Sequence, residues 1–271
     1  MMRSMKIDPK AVTDIIREVV DTEVLPRYQN LSEGDIRSKT SPMDLVTEAD
    51  IQAEIALTAR LRDLLPGSQV VGEEAVHDDP SILDRLKGDG PVWIIDPVDG
   101  TANYSRGNPL FGCIVALSLG GETVMGWIDH CLERETTVAV KGGGVERAGQ
   151  PVSLTPRSTK SLAEMDCYLG GKALVNLFRQ RTRRVERVGS AAHVYLSLSR
   201  GEGDFAIFTR LKPWDHAAGI LIHREAGGVA RLLSDETYAP TQNLGVPVMA
   251  ANEDEWNAVA FIARAGGIVP N

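Results

Sequence analysis

Residues 93–107 read WIIDPVDGTANYSRG, an apolar run that ends in two aspartates, three positions apart around a proline, and then a glycine turn. With Pro91 and Val92 ahead of it, the run predicts a β-strand over PVWIID that ends at Asp96. Pro97 fixes the turn that follows, because its ring locks φ. Asp96 and Asp99 then reach one centre from two sides, with the Val98 carbonyl between them as a further oxygen donor. An apolar strand that delivers two carboxylates to one corner reads as a metal clamp in which Asp96 is the bridge.

Two other apolar segments end in acids. SQVVGEE, residues 68–74, reads as a short strand carrying Glu73 and Glu74, and KPWD, residues 212–215, places Asp215 at the start of the helical stretch WDHAAGILIHREAGG. Strand ends and loops are where a rigid scaffold presents chemistry. Taken singly, DG is ordinary turn chemistry, GEE a solvated acidic turn and WD an acid facing a helix dipole. Together they predict that Glu73, Asp96, Asp99 and Asp215 converge. Four carboxylates so placed either raise one another's pKa or recruit a cation. Oxygen donors without His or Cys favour Mg²⁺, with Mn²⁺ as a substitute, over zinc.

Around these acids the hydrophobic period alternates between helix and strand. Asp8 and Pro9 open a helix running to about Pro26. Thr47 and Asp50 form the capping box of a second helix, whose buried face is read as Ile51, Ile55, Leu61 and Leu65. FGCIVALSLGGETVMGWIDH predicts a hairpin turning at Gly120-Gly121, and ETTVAV a further strand. Beyond residue 150, AEMDCYL, RRVERVG and DFAIF read as strands, interleaved with helices over GKALVNLFRQ, SAAHVYLSLSRG and WDHAAGILIHREAGG, and PVMAANEDEWNAVAFIARAG pairs a strand with a helix. No flexible linker separates the halves. The expectation is one α+β or layered domain over residues 1–271, with packed halves of about 1–150 and 151–271.

Composition narrows the function. A net charge of −8 over 271 residues argues against a broad nucleic-acid-binding face, so an anionic substrate needs local cations. The one basic cluster, RQRTRRVERVG, reads as a solvated strand face or subunit edge, with an RNA contact as the sharper alternative. Cys113, Cys131 and Cys167 are odd in number and far apart, which fits a reducing cytoplasm. No run of about 18 apolar residues predicts a membrane span.

GEE, WIIDPVDGTANY and WDHAAGILIHREAGG closely resemble the inositol monophosphatase family of Mg²⁺-dependent, lithium-sensitive phosphatases. The likeness extends from SPMDLVTEAD to the last helix. It implies a layered αβαβα fold with metals between the halves, and two or three Mg²⁺ ions per site with Li⁺ as inhibitor. Glu73, Asp96 and the Val98 carbonyl would hold a first ion. Asp96, Asp99 and Asp215 would hold a second, and Glu73 would help a third. The implied reaction is in-line attack of metal-activated water on a small phosphate monoester. Asp50 and Thr101 match the pair that orients or deprotonates that water, with Glu73 beside them in the catalytic set.

Gly100, Thr101 and Ala102 open a helix whose free N–H groups would bind phosphate oxygens. Lys39 matches a loop lysine near the metals, and Gly189, Ser190 and Ala191 correspond to the segment bordering the substrate's alcohol. The chain departs from the inositol-processing pattern at Phe208, where an acid would contact ring hydroxyls. Inositol 1-phosphate is thus the nominal substrate, with histidinol phosphate, a nucleotide 3′-phosphate, NADP and fructose 1,6-bisphosphate as alternatives. The resemblance also implies a homodimer, and a regulatory protein binding RNA or the transcription machinery is the alternative of a different class.

Overall fold

The computed structural model describes residues 7–38, 45–154 and 158–270. Helix α1 (Pro9–Val19) begins as predicted, with Asp8 accepting the Lys10 amide, and continues through a π-turn at Val20–Val24. Strands β1 (Ile36–Ser38) and β2 (Leu45–Thr47) pair antiparallel, a ribbon too short for its sequence pattern to announce. Helix α2 (Glu48–Leu64) carries the predicted Thr47/Asp50 capping box. Its expected face holds at Leu61, which is buried, but is corrected at Ile55, which is 59% exposed, and Ala49, Ala53 and Leu57 complete the buried side. The small alanines let the helix lie close to its neighbours, which leaves the branched Ile55 outside.

Strand β3 (Gln69–Gly72), helix α3 (Glu73–Asp78), strand β4 (Pro91–Asp99) and the single turn α4 (Thr101–Tyr104) follow. Strands β5 (Gly112–Leu119), β6 (Glu122–His130), β7 (Glu135–Val140), β8 (Gly144–Arg147) and β9 (Gln150–Val152) complete a sheet in sequential order from β3 to β9. Only the β3–β4 pair in it is parallel.

The second half contributes β10 (Asp166–Gly170), α5 (Lys172–Phe178), β11 (Arg184–Glu186), α6 (Ala191–Ser199), β12 (Phe205–Phe208), α7 (Pro213–Glu225), β13 (Val229–Leu232), β14 (Pro247–Ala250) and α8 (Glu253–Ala265). Its sheet runs in the order β11-β10-β12-β14-β13.

Side-chain alternation turns these elements into layers. Along β4, Trp93 and Ile95 point to one face and pack with Val12, Ile16, Leu57 and Leu61 of α1 and α2. Val92 and Ile94 point to the other, in a core with Leu196, Ala217 and Ala218 of α6 and α7, and with Ala206 and Met249 of the second sheet. The far face of that sheet, Cys167, Phe205, Ile207 and Val248, packs on Phe178 of α5 and Trp256 of α8. Helices, sheet, helices, sheet and helices stack in that order, the αβαβα sandwich that the resemblance implied. A strand buried on both faces has to be apolar at nearly every position, as β4 is.

Strand β4 does not stop at Asp96 as predicted; it runs to Asp99 through a bulge. Asp96 pairs with Ile114 and Asp99 with Gly112, so three steps on β4 match two on β5. Side chains alternate along a strand, so residues three apart belong on opposite faces. The extra residue cancels that offset and puts both aspartates on one side. Pro97, with no N–H to pair, is suited to such an interruption.

Candidate metal centre and cleft

Beyond the bulge the chain turns at Gly100, whose φ is +89°; a Cβ there would meet the Leu110 carbonyl at 2.9 Å. Both the conformation and the space demand glycine. Asn103 then ties the corner to the segment before α6, donating to the carbonyls of Leu110 (2.7 Å) and Val188 (2.9 Å).

One carboxylate oxygen from each of Asp96, Asp99 and Asp215 lies within 4.8 Å of the others. Glu73 lines the same cleft, about 180 Å³ in volume, with Val98, Gly100, Thr101 and Ala102. The predicted convergence of the acids is therefore present. Its supports are helix N-termini. Asp50 and Asp215 sit in the first turns of α2 and α7, and Glu73 opens α3. Asp99 accepts the amides of Ala191 (3.1 Å) and Ala192 (2.8 Å) at the start of α6, and the Ser190 hydroxyl as well. Partial positive charge at a helix start offsets a carboxylate.

Asp96 has no such helix. Its Oδ1 is buried with no hydrogen-bond partner among the described residues. Burial pushes the Asp96 carboxyl well above its ordinary range, and Glu73, Asp99, Asp215 and Asp50 push it further by like-charge repulsion. Asp215 is likewise raised, by desolvation and then by Asp99 and Glu73. Burial lifts Asp99 to about 6 even against the Ser190 and α6 donors. An all-oxygen donor set, one unpartnered buried oxygen and mutual repulsion fit a hard divalent cation.

Asp50 is buried behind the cleft wall, and Thr101 stands between it and the opening. Its two oxygens divide the work: Oδ2 accepts the Thr47 amide (2.9 Å) and hydroxyl (2.5 Å), while Oδ1 faces the Thr101 hydroxyl at 3.0 Å. The same hydroxyl lies 3.1 Å from the Val98 carbonyl. Burial raises Asp50 to about 6 despite the Thr47 hydrogen bonds.

Gly189 lines the cleft, and Gly189, Ser190 and Ala191 line the cavity that adjoins it, while the Ser190 hydroxyl and the Ala191 amide also hold Asp99. The helix expected to open here is a single turn, Thr101–Tyr104, with Gly100 as its N-cap. Lys39 lies outside the described residues. Two supports went unread in the sequence. Glu54 is buried and accepts the amides of Glu74 and Ala75, both at 2.8 Å, which sets the start of α3 and thereby Glu73. A lone glutamate inside a helix gives no signal of that role, whereas Asn103 at least stands within the TANY motif.

A second cavity, about 220 Å³, adjoins the cleft and shares Asp99, Gly189 and Asp215 with it. Its remaining wall is mostly apolar: Tyr168, Leu169, Val188, Val194 and Phe208. A larger space of about 570 Å³ near Lys160, Arg200 and Asn252 contains none of the predicted site residues.

A layered α+β sandwich with a cluster of three carboxylates between its halves is the architecture of a class of phosphatases known for metal-dependent catalysis. The chain belongs to the inositol monophosphatase family, which it matches over residues 8–265, and it is a phosphomonoesterase. Among its relatives is a fructose-1,6-bisphosphatase/inositol-1-monophosphatase of Thermotoga maritima, 32% identical over 199 residues, covering 72% of this chain and 74% of that one. An inositol-1-monophosphatase SuhB of Mycobacterium tuberculosis is 31% identical over 250 residues, covering 88% and 84%. A solved Thermotoga maritima IMPase superposes with a TM-score of 0.80 at 26% identity, over 94% of this chain and 96% of that one. Among the described residues no helix is long and apolar enough to cross a membrane.

Proposed function

We propose that the chain hydrolyses a small phosphate monoester with Mg²⁺ held by Glu73, Asp96, the Val98 carbonyl, Asp99 and Asp215. The observation that carries this reading is the buried, unpartnered Asp96 Oδ1 inside a group of three carboxylates within 4.8 Å of one another. Bound divalent cations would neutralise the phosphate and acidify water. Thr101 donates to Asp50, which leaves a hydroxyl lone pair facing the cleft to orient the attacking water. With its carboxyl near 6, Asp50 is matched to proton transfer near neutral pH. Gly100, Thr101 and Ala102 line the cleft, and their amides would receive phosphate oxygens.

The leaving alcohol would enter the adjoining cavity. Its wall of Tyr168, Val194 and Phe208 offers few acceptors for ring hydroxyls, which favours substrates with a flat or apolar alcohol over inositol 1-phosphate, the nominal choice. Phosphate release should be measured in Mg²⁺ on inositol 1-phosphate, histidinol phosphate, a nucleotide 3′-phosphate, NADP and fructose 1,6-bisphosphate. Preference for a ring-bearing, non-polyol compound is expected. A preference for inositol 1-phosphate would contradict the alcohol-side reading, and no release from any of the five would contradict the hydrolytic one.

The basic cluster is drawn into structural pairing: Arg183 and Arg184 both face Asp166, Arg183 through Nε at 2.7 Å. That supports the surface reading over an RNA contact. A homodimer remains part of the proposal, and sedimentation at micromolar protein tests it.

A further inference from the structure

Behind Asp99, on the side away from the cleft, two histidines are buried together. His193 of α6 turns Nδ1 to the Ser190 Oγ at 3.2 Å and Nε2 to His130 Nε2 at 3.1 Å. His130, at the end of β6, receives the Glu133 amide on Nδ1 at 3.2 Å. The rings meet edge to face, centroids 4.6 Å apart, and expose only 8% and 7% of their residues' surface. At the outer end the Glu133 carboxylate lies 3.5 Å from His130 Nε2 and pairs with Arg200 at 3.2 Å.

Each neutral imidazole has one donor and one acceptor nitrogen, so the partners dictate the tautomers. The Glu133 amide fills the His130 Nδ1 lone pair, which leaves the His130 proton on Nε2, pointed at His193. His193 then accepts on Nε2 and carries its own proton on Nδ1, donated to the Ser190 oxygen. That oxygen also accepts the His193 amide at 3.2 Å, and the hydroxyl proton is directed to Asp99 Oδ2. Burial, with His130 and Arg200 nearby, pushes His193 down to about 4, in keeping with a neutral ring.

We propose that His130 and His193 are positioning residues that act through Ser190 to hold the Asp99 carboxylate in one orientation. His130 selects the tautomer of His193; that tautomer denies Ser190 a rival acceptor, and the Ser190 proton stays on Asp99. The proposal rests on the reading of Asp99 as a cation ligand. Without the His130 donor, His193 is free to move its proton to Nε2, and its bare Nδ1 competes with Asp99 for the hydroxyl. Hydrogen bonds that orient a ligand are worth on the order of ten- to a hundredfold in metal affinity.

The test is imidazole ¹⁵N NMR of the metal-free protein, together with Mg²⁺ affinity by calorimetry. The wild type should show His193 as the Nδ1–H tautomer and His130 as the Nε2–H tautomer. His130→Leu should mix the His193 tautomers and weaken Mg²⁺ binding about tenfold. His130→Gln, which offers an amide N–H in place of the imidazole donor, should restore both and keeps the test open if the leucine variant does not fold. A wild-type His193 protonated on Nε2, or a His130→Leu protein with unchanged tautomer and affinity, would overturn the proposal. Asp99→Asn separates the two layers: undiminished Mg²⁺ binding in that variant means that the cation-ligand reading itself has failed.

Discussion

Asp96 is the residue at which stability and chemistry oppose each other. Its carboxyl is buried among like charges with an oxygen that nothing in the described chain satisfies. Asp96→Asn removes one charge from the cluster, so the metal-free variant should melt a few degrees above the wild type while losing nearly all turnover; a lower melting temperature would contradict the repulsion argument. Thr101→Ala removes the hydroxyl between Asp50 and the cleft, and kcat should fall about a hundredfold or more with KM little changed. Equal loss through KM would assign Thr101 to binding instead. At this scale the sequence was informative where a residue's type and neighbours both carried meaning, as in DPVDG. It was silent where the role depended on a distant partner: nothing around Glu54 foretells the α3 amides, and nothing around His130 foretells His193.

At the scale of elements, strand β4 and the starts of α2, α3, α6 and α7 form the cradle. Glu54 couples two of them, and Glu54→Gln replaces a charged acceptor of two amides by an amide with one acceptor oxygen. Loss of about 2–3 kcal/mol in stability, with weakened Mg²⁺ binding through displaced Glu73, is expected in denaturant titration and calorimetry. Unchanged values in both would show that α3 needs no such cap. Capping signals and hairpin glycines were legible because they are local: Thr47 with Asp50, and Gly120 with Gly121, act within a few residues. The bulge in β4 was not, because the register shift exists only relative to β5. The face of α2 was misjudged for the same reason, since alanines win the buried side only when a close-packed partner is present.

The whole molecule stacks five layers, and the acids lie where its two halves meet. Their titration gives the assembly a pH signature. Asp50 and Asp99 rise from the usual carboxylate value to about 6 in the folded chain, so the folded state binds more protons than the unfolded one between about 4 and 6. Their contribution to metal-free stability is therefore fully present below about 4 and lost as pH rises through about 6. Mg²⁺ competes with the proton on Asp99, so the rise in melting temperature that it produces should be small near pH 4.5 and grow as pH rises through about 6. A Mg²⁺ effect independent of pH would contradict this. The layered order itself was readable through likeness to a known family more than through periodicity, which marked helices and strands but not which sheet each strand joins.

The most direct measurement is calorimetric titration of Mg²⁺ into the metal-free protein at neutral pH, beside Asp96→Asn. The wild type should bind at least two ions per chain, and the variant should lose most of that binding while remaining folded. Equal binding by both proteins would contradict the claim that the acid cluster at the end of β4 is a cation site.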